Sequence, residues 1–462
     1  MTNKHRASHH RGDLPRRVAV VGAGISGLAA AHALRDQARV TLFEASTRFG
    51  GHSHTVDVTL DGVTHGVDTG FLVCNERTYP NLLGLFDQLG VQLAPSDMSL
   101  SVQMRARDLE WCGSDLNAVF AQRRNLLRPW FWRLLADILR FNRIATRLAA
   151  QEPVAPPGTA SSRIGARGRP AAAGTIGDFL ERERFGPTFR DAYLLPMVAS
   201  IWSCPPQQML EFPLETLVRF CHNHGLLQVR DRPQWFTVVG GARTYVERLL
   251  DSVADARAGS PVLGVRRLAA GDADSGVIVT TARGHERFDA VVLACHSDQA
   301  LALLAEPSAA EREVLGAIGY QANRAVLHTD TSLLPTRRRA WAAWNHENAG
   351  AEHGAAAVCL HYLLNRLQPL PFTTPVIVSL NPVRAPRREC VLGEFEYAHP
   401  VFDEGAIAAQ GRLPELQGQG QVWFCGAWAR YGFHEDGLVS ALAVCEQLRS
   451  RWAAGAGVKE AA

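Results

Sequence analysis

At 462 residues, 47% hydrophobic and 20% charged, the chain has the composition of a soluble globular protein too long for one small core, and two domains are expected. Its 48 basic and 45 acidic residues leave a net charge of only +3, which excludes bulk charge as an argument for nucleic-acid binding. The only lysines are Lys4 and Lys459, so nearly all the positive charge is arginine. The nine cysteines show no C-x-x-C pair or regular spacing, and are expected as reduced, mostly buried thiols of a cytoplasmic protein. Met1 to Arg16 is polar and histidine-rich without the apolar segment of a signal peptide, and a disordered tail is expected over 1–15. No stretch approaches the roughly 20 apolar residues that span a bilayer.

In chain order, the apolar run Val18–Val21 ends at a glycine cluster, a helical pattern follows over Leu28–Leu34, and a second run, Val40–Phe43, ends at Glu44. This is a βαβ opening with buried parallel strands. Thr55–Leu60 and Val63–Val67 flank Asp61-Gly62 as a predicted hairpin, and 98–103 with 109–113 form another strand pair. Leu126 to Ala150 is helical, and 152–174, rich in Pro, Gly, Ala and Ser, reads as an exposed loop. Gly240-Gly241 opens a helix through Leu250. Strand signals return at Val262–Val265, Val277–Thr280, Ala290–Ala294 and Val422–Cys425, and a last helix is predicted from about Leu438 to Leu448.

Gly22-Ala-Gly24-Ile-Ser-Gly27 is a G-x-G-x-x-G between strand and helix. The first glycine permits the tight turn, the second lets backbone approach a pyrophosphate, and the third lets helix pack on strand. Ala23, Ile25 and Ser26 lie within the same turn, whose helix start offers free N–H groups to phosphates. Glu44 is placed to hold the ribose hydroxyls. Gly24-Ile-Ser-Gly27 is not a nucleophile elbow, which removes a hydrolase reading.

After the acid comes Arg48-Phe-Gly50-Gly51, which resembles the R-x-G-G extension of the flavin amine oxidase superfamily. That superfamily includes monoamine oxidases, phytoene desaturases and protoporphyrinogen oxidases. The resemblance continues at Val67-Asp-Thr69-Gly70-Phe71, similar to the segment beneath the flavin, at Val262, at Phe288–Ala294, and at Phe424-Cys-Gly426 with Gly432–Leu438. It implies FAD, held non-covalently, and an α/β fold: a Rossmann-type FAD-binding domain plus an α+β substrate domain. By the same resemblance, Ala45, His52, Ala294, Asp436, Gly437 and Leu438 join the cofactor contacts. The expected FAD domain is discontinuous, over 16–75, 215–300 and 420–455, with the substrate domain over 76–214 and 301–419.

Many relatives use a lysine that holds a water against flavin N5, and here no lysine lies between Lys4 and Lys459. Cys425 and Cys390 are candidates for a covalent tether by proximity only, with buried thiol as the alternative. Phe71–Pro80, Ile201–Pro205, His222–Gly225 and Gly432–Gly437 resemble a bacterial subgroup associated with cyclopropane-fatty-acid-synthase-like methyltransferases. That resemblance implies oxidation or reduction of lipid acyl chains, with a lipid methyltransferase as partner. The rival readings are an amine or porphyrinogen oxidase with a non-lysine site, and a flavoprotein that serves a partner enzyme without its own turnover.

Leu127, Trp130, Phe131, Leu134, Leu135, Ile138 and Phe141 recur at helical spacing among Arg128, Arg133, Arg140, Arg143 and Arg147. Such a basic amphipathic helix suits the inner face of a membrane; a core-facing helix with a solvated arginine face is the alternative. The catalytic candidates are His224, His434 and Tyr79. His222 and His224 read equally as a hydrogen-bonding pair on a strand, and with no cysteine or acid cluster beside them no metal site is expected there. Glu76 and Tyr79 read as pocket lining or as surface loop. Phe71, Tyr79, Trp202 and Phe220 are candidate walls of an apolar channel, with ordinary core as the alternative.

Overall fold

The computed structural model describes residues 16–150, 174–202, 208–228, 232–268, 276–348 and 358–460. The tail expected over 1–15 and nearly all of the loop expected over 152–174 lie outside the described residues, as does Cys204. Val18–Val21, Ala290–Leu293 and Val422–Phe424 are uniformly buried rather than alternating, because both faces of their sheet are covered. Five strands form this parallel sheet, in the order Asp255–Arg257, Ala38–Phe43, Arg16–Val21, Ala290–Leu293, Val422–Phe424. The helix Ile25–Leu34 carries small residues on its sheet side, Gly27 and Ala29 to Ala31, so it sits close to the strands. The helix His434–Glu460 packs across it, with Cys445 Sγ against the Ala30 carbonyl. It begins at His434 rather than Leu438, because the Asp436 carboxylate accepts from Phe433 N–H at 3.0 Å and lets the first turn form earlier.

The strands Thr55–Leu60 and Val63–Asp68 pair as the expected hairpin about Asp61-Gly62, where both residues have positive φ. A second sheet of seven strands takes its members from 100–112 and 319–401, and its central hairpin pairs Trp344–Asn348 with Cys359–Leu363. Its antiparallel order is interrupted where Trp344–Asn348 runs parallel to Leu100–Met104. A three-stranded meander, Val262–Arg267, Val277–Thr281 and Gly284–Phe288, flanks the parallel sheet.

Helices supply the third layer. Leu214, Leu217, Val218 and Cys221 follow i, i+3, i+4, i+7 spacing, so Leu214–Asn223 is a helix. His222 therefore lies on a helix and His224 at its C-cap, not on a strand. This helix packs with Pro129–Ala150 and Leu195–Trp202 in a core separate from that of the parallel sheet, so the boundary expected at 215 falls inside a helix of that other core.

A buried carboxylate stands at the seam where the hairpin meets the start of the helix Arg243–Leu250 and Gln368. Asp68 accepts from Thr55 Oγ1 at 2.5 Å, Ala242 N–H at 2.9 Å and Gln368 Nε2 at 2.8 Å, while its own N–H donates to Gln368 Oε1 at 3.0 Å. Burial pushes its pKa up to about 6 against the pull of those donors. Hydrogen bonds to a charged group contribute about 1.5–3 kcal/mol each, so Asp68→Ala should lower stability by about 3 kcal/mol or more, and Asp68→Asn by less. Urea unfolding checks this; a midpoint unchanged in Asp68→Ala would show that the seam is held elsewhere.

Candidate active site

Every strand of the parallel sheet points its carboxyl end at one cavity of about 720 Å³. Val21 and Gly22 follow the first strand, Phe43 and Glu44 the second, Ser260 the short edge strand, Ala294 to His296 the fourth, and Gly426 to Trp428 the fifth. Ligands of parallel sheets sit at such strand ends, where helix N-termini and turn backbone converge.

The glycines divide into structural and cradle positions. Gly22 has φ +99°, and its N–H donates to the Phe43 carbonyl at 2.8 Å. A Cβ on Gly27 would come within 1.8 Å of the Gly22 carbonyl oxygen, so Gly27 is a contact between helix and turn. A Cβ on Gly24 would meet nothing within 4 Å, because that position faces the open cavity. Gly24 is also the N-cap of Ile25–Leu34 and provides no side-chain cap, which leaves the first N–H groups free for an anion. Glu44 accepts from Ala23 N–H at 2.8 Å and Ser46 N–H at 2.9 Å, holding the turn with lone pairs to spare. Arg48 donates from Nη2 to the Gly51 carbonyl at 2.7 Å, while its Nη1 and His52 Nε2 are buried without hydrogen-bond partners. A cradle open at Gly24, an uncapped helix start and unpartnered donors beside it fit a dinucleotide such as FAD.

Of the residues read from the sequence as cofactor contacts, Gly22, Ala23, Gly24, Ile25, Ser26, Glu44, Ala45, Gly51, His52, Gly70, Phe71, Val262, Ala294 and Gly426 line the cavity. The others stand one layer behind. Gly50, at φ +111°, turns the chain toward the cradle, and Thr69 Oγ1 lies 2.7 Å from the Tyr397 hydroxyl. Gly437 packs against Ser26 and Ile25, Asp436 starts the final helix, and Leu438 is core. Cys295 lines the cavity, whereas Cys390 and Cys425 do not.

Beyond the cradle the cavity becomes apolar. Its walls are Leu72, Val73, Tyr79, Met98, Leu100, Met197, Ile201, Phe220, Leu226, Trp235, Trp344 and Tyr362. Trp202 is behind the wall, its ring tilted against Phe220 at 4.7 Å, and Glu76 is on the surface. Among the lining residues Glu44 is the one carboxylate, and there is no arginine or lysine.

His224, His434 and Tyr79 all line this cavity. His224 lies between Phe220 and Trp235, with Nδ1 2.9 Å from the Phe220 carbonyl, an arrangement that fixes the ring. His434 stacks on Phe71 at 3.9 Å, and its Nε2 lies 3.0 Å from Ser53 Oγ and 3.1 Å from the Tyr245 hydroxyl. Ser53 and Tyr245 are also bonded to one another. Sequence reasoning missed His296 and His399, which join His52 and His434 at the cavity. His296 directly follows the strand that returns to the cofactor, which is a legible signal. His399 lies on the long edge strand Val391–Val401, where nothing local marks it. Its ring is 5.3 Å from that of His52. Burial keeps all of them neutral, pushing His224 and His399 down to about 4, His434 to about 3, and His52 well below its ordinary value.

Two outcomes follow. Gly24→Val should fold but lose bound flavin, whereas Gly27→Ala should destabilise the scaffold itself; circular dichroism and absorbance of the desalted proteins separate the two. A Gly24→Val protein that stays yellow would place the pyrophosphate elsewhere. The second concerns pH. An unfolded chain protonates these histidines below about 6.5, whereas burial pushes all of them lower in the folded chain, His224 and His399 to about 4, so their stabilisation is full above pH 6.5 and lost as pH falls below it. Asp68 and Asp436, both raised to about 6, oppose the trend, but the histidines outnumber them. The urea midpoint should therefore fall between pH 7 and pH 5, and a flat or rising midpoint would contradict the assignment of neutral buried imidazoles.

Residues 25–362 match the family described as flavin containing amine oxidoreductase. A curated Mycobacterium tuberculosis protein that carries the name flavin-containing monoamine oxidase is 28% identical over 295 residues, 63% of this chain and 59% of that protein. The match thus spans about three fifths of that relative's length. Among solved structures, cyclohexylamine oxidase from Brevibacterium oxydans superimposes with a TM-score of 0.64 at 18% identity, over 94% of this chain and 100% of that one. A fatty acid isomerase from P. acnes superimposes with a TM-score of 0.63 at 13% identity, over 94% of this chain and 98% of that one. At those identities the likeness concerns the fold.

Proposed function

The chain belongs to the flavin containing amine oxidoreductase family, and from that premise we propose that it is an FAD-dependent oxidoreductase that oxidises or reduces lipid acyl chains. The observation that carries this reading is that, among the described residues, no fixed charge lines the apolar end of the cavity. Its five lining histidines are held neutral, and its one carboxylate, Glu44, belongs to the cradle. A protonated amine would enter such a pocket without a counter-ion and bear the desolvation cost of an unpaired cation, whereas an acyl chain loses nothing there and gains from burial. Other supports are the lack of lysine outside the two termini and the fold shared with a protein named as a fatty acid isomerase. A lipid methyltransferase acting on the same chains is the partner this reading implies.

FAD when bound supplies the two-electron chemistry, taking or giving hydride at its flavin ring. The chain's own part is to position. His434 is anchored by Ser53, Tyr245 and Phe71, and so serves to fix the flavin-side wall. Burial holds His52 and the adjoining His399 well below the ordinary imidazole range, too weakly basic to keep a proton at neutral pH, so the unpartnered His52 Nε2 serves as a hydrogen-bonding contact of the cradle. Tyr79, Phe220 and Trp235 hold the reacting chain by shape alone.

We place chain entry on the side of the helix Pro129–Ala150. The core-facing alternative holds for Phe131, Leu134 and Phe141, which are buried. On the outward side Leu127 is 87% exposed, Trp132 49% and Trp130 36%, beside Arg124, Arg128 and Arg133. Tryptophan and leucine among arginines suit an anionic lipid interface. Among the described residues no helix is long and apolar enough to cross a membrane. The test is anaerobic stopped-flow at the flavin absorbance. Phospholipids with unsaturated, methylene- or methyl-branched chains, delivered in anionic vesicles, should change the flavin redox state, and primary amines should not. Trp130→Glu with Trp132→Glu should slow delivery from vesicles and leave detergent-dispersed lipid unaffected. Rapid bleaching by a simple amine with no response to any lipid would restore the amine oxidase reading.

A further inference from the structure

Away from the cavity, the central hairpin of the seven-stranded sheet gathers a second set of reactive side chains. Glu347 and Cys359 are directly paired across the two strands, and His361 follows Cys359 by two residues, so all three project from one face. One ligand atom from each lies within 4.8 Å of the others. Trp344 and Tyr362, from alternate positions of the same strands, line the cavity, and none of the three does. The trio is therefore mounted on the back of the cavity wall, fully buried, and the flavin chemistry makes no use of it.

We propose that Glu347, Cys359 and His361 form a binding site for a divalent transition metal of the zinc class. The donor set of carboxylate, thiolate and imidazole is one that zinc takes, and its two anions balance the ion's charge. Zinc bond lengths at tetrahedral angles place nitrogen and sulfur about 3.6 Å apart, and nitrogen and oxygen about 3.3 Å apart. His361 Nε2 lies 3.6 Å from Cys359 Sγ and 3.1 Å from Glu347 Oε2. The surrounding groups orient the ligands as metal sites require. His328 Nδ1 accepts from Asp330 N–H, so its Nε2 carries the proton and donates to Ser379 Oγ at 2.6 Å; the second lone pair of that hydroxyl can accept from His361 Nδ1, also 2.6 Å away, which leaves His361 Nε2 free to ligate. Arg105 donates to Glu347 Oε1 at 2.7 Å, which leaves Oε2 directed at the site. A bound ion would clamp the hairpin behind Trp344 and Tyr362 and hold that stretch of wall rigid.

The test uses the full-length, FAD-loaded protein incubated with zinc and desalted. Elemental analysis should find one zinc per chain that a chelator removes, and zinc-edge X-ray absorption should show one sulfur neighbour among nitrogen or oxygen ones. Cys359→Ser should remove the sulfur signal and weaken binding by at least the roughly 10–100-fold that even a change beside a metal site costs. Glu347→Gln should weaken binding while keeping the sulfur, and flavin content reports that each variant is folded. The sequence also offers His5, His9 and His10 as competing ligands, so a protein with all three changed to alanine should keep its zinc. No retained zinc in the wild type, zinc without a sulfur neighbour, or zinc lost with the tail histidines but kept in Cys359→Ser would each overturn the proposal.

Discussion

A parallel sheet has all its carboxyl ends on one edge, and the whole site follows from that geometric constraint. Five strand ends meet at one cavity, so the turns that follow them crowd together on its floor. Backbone at that density tolerates little else. The first strand's turn lies against the fourth strand's end so tightly that a Cβ on Gly22 would stand 3.0 Å from the Ala294 carbonyl oxygen. The glycines of the cradle are thus a consequence of strand convergence before they are a preference of any ligand.

The second sheet depends on this floor through the buried seam. Asp68 ties the hairpin, the start of the helix Arg243–Leu250 and Gln368 into one unit, and so fixes how far the apolar wall stands from the cradle. The wall then exploits the two-residue alternation of strands. One face of the central hairpin delivers Trp344 and Tyr362 to the cavity, and the other delivers Glu347, Cys359 and His361 to the interior behind it. The same backbone therefore supports two chemistries that never touch.

Much of this was legible in the sequence because the signals were local. The strand–turn–helix around Gly22 to Gly27 and the Asp61-Gly62 hairpin each depend on neighbours a few residues away, and each forms as read, with Glu44 at the end of the second strand. What escaped was assembled at long range. The ring of neutral histidines requires His52, His296, His399 and His434 from four distant stretches, and no spacing rule links them. His224 was misplaced on a strand because two histidines flanking an asparagine look alternating, whereas the leucine stripe beginning at Leu214 sets a helical period. The helix around Trp130 divides between core and surface: Phe131 turns inward and Trp132 outward, since adjacent positions on a helix face about 100° apart.

The order of strands in the parallel sheet also fixes an order of events in the making of the protein. Its central strand, Arg16–Val21, is made long before its last strand, Val422–Phe424, and the helix from His434 that crosses Ile25–Leu34. Until they arrive, the fourth strand has an open edge and the fingerprint helix lacks its cover, so the nascent chain must hold an unfinished sheet while everything between is made. Cofactor loading thereby waits on that last strand and helix, and the flavin becomes a seal on an assembled sheet rather than a template for a growing one.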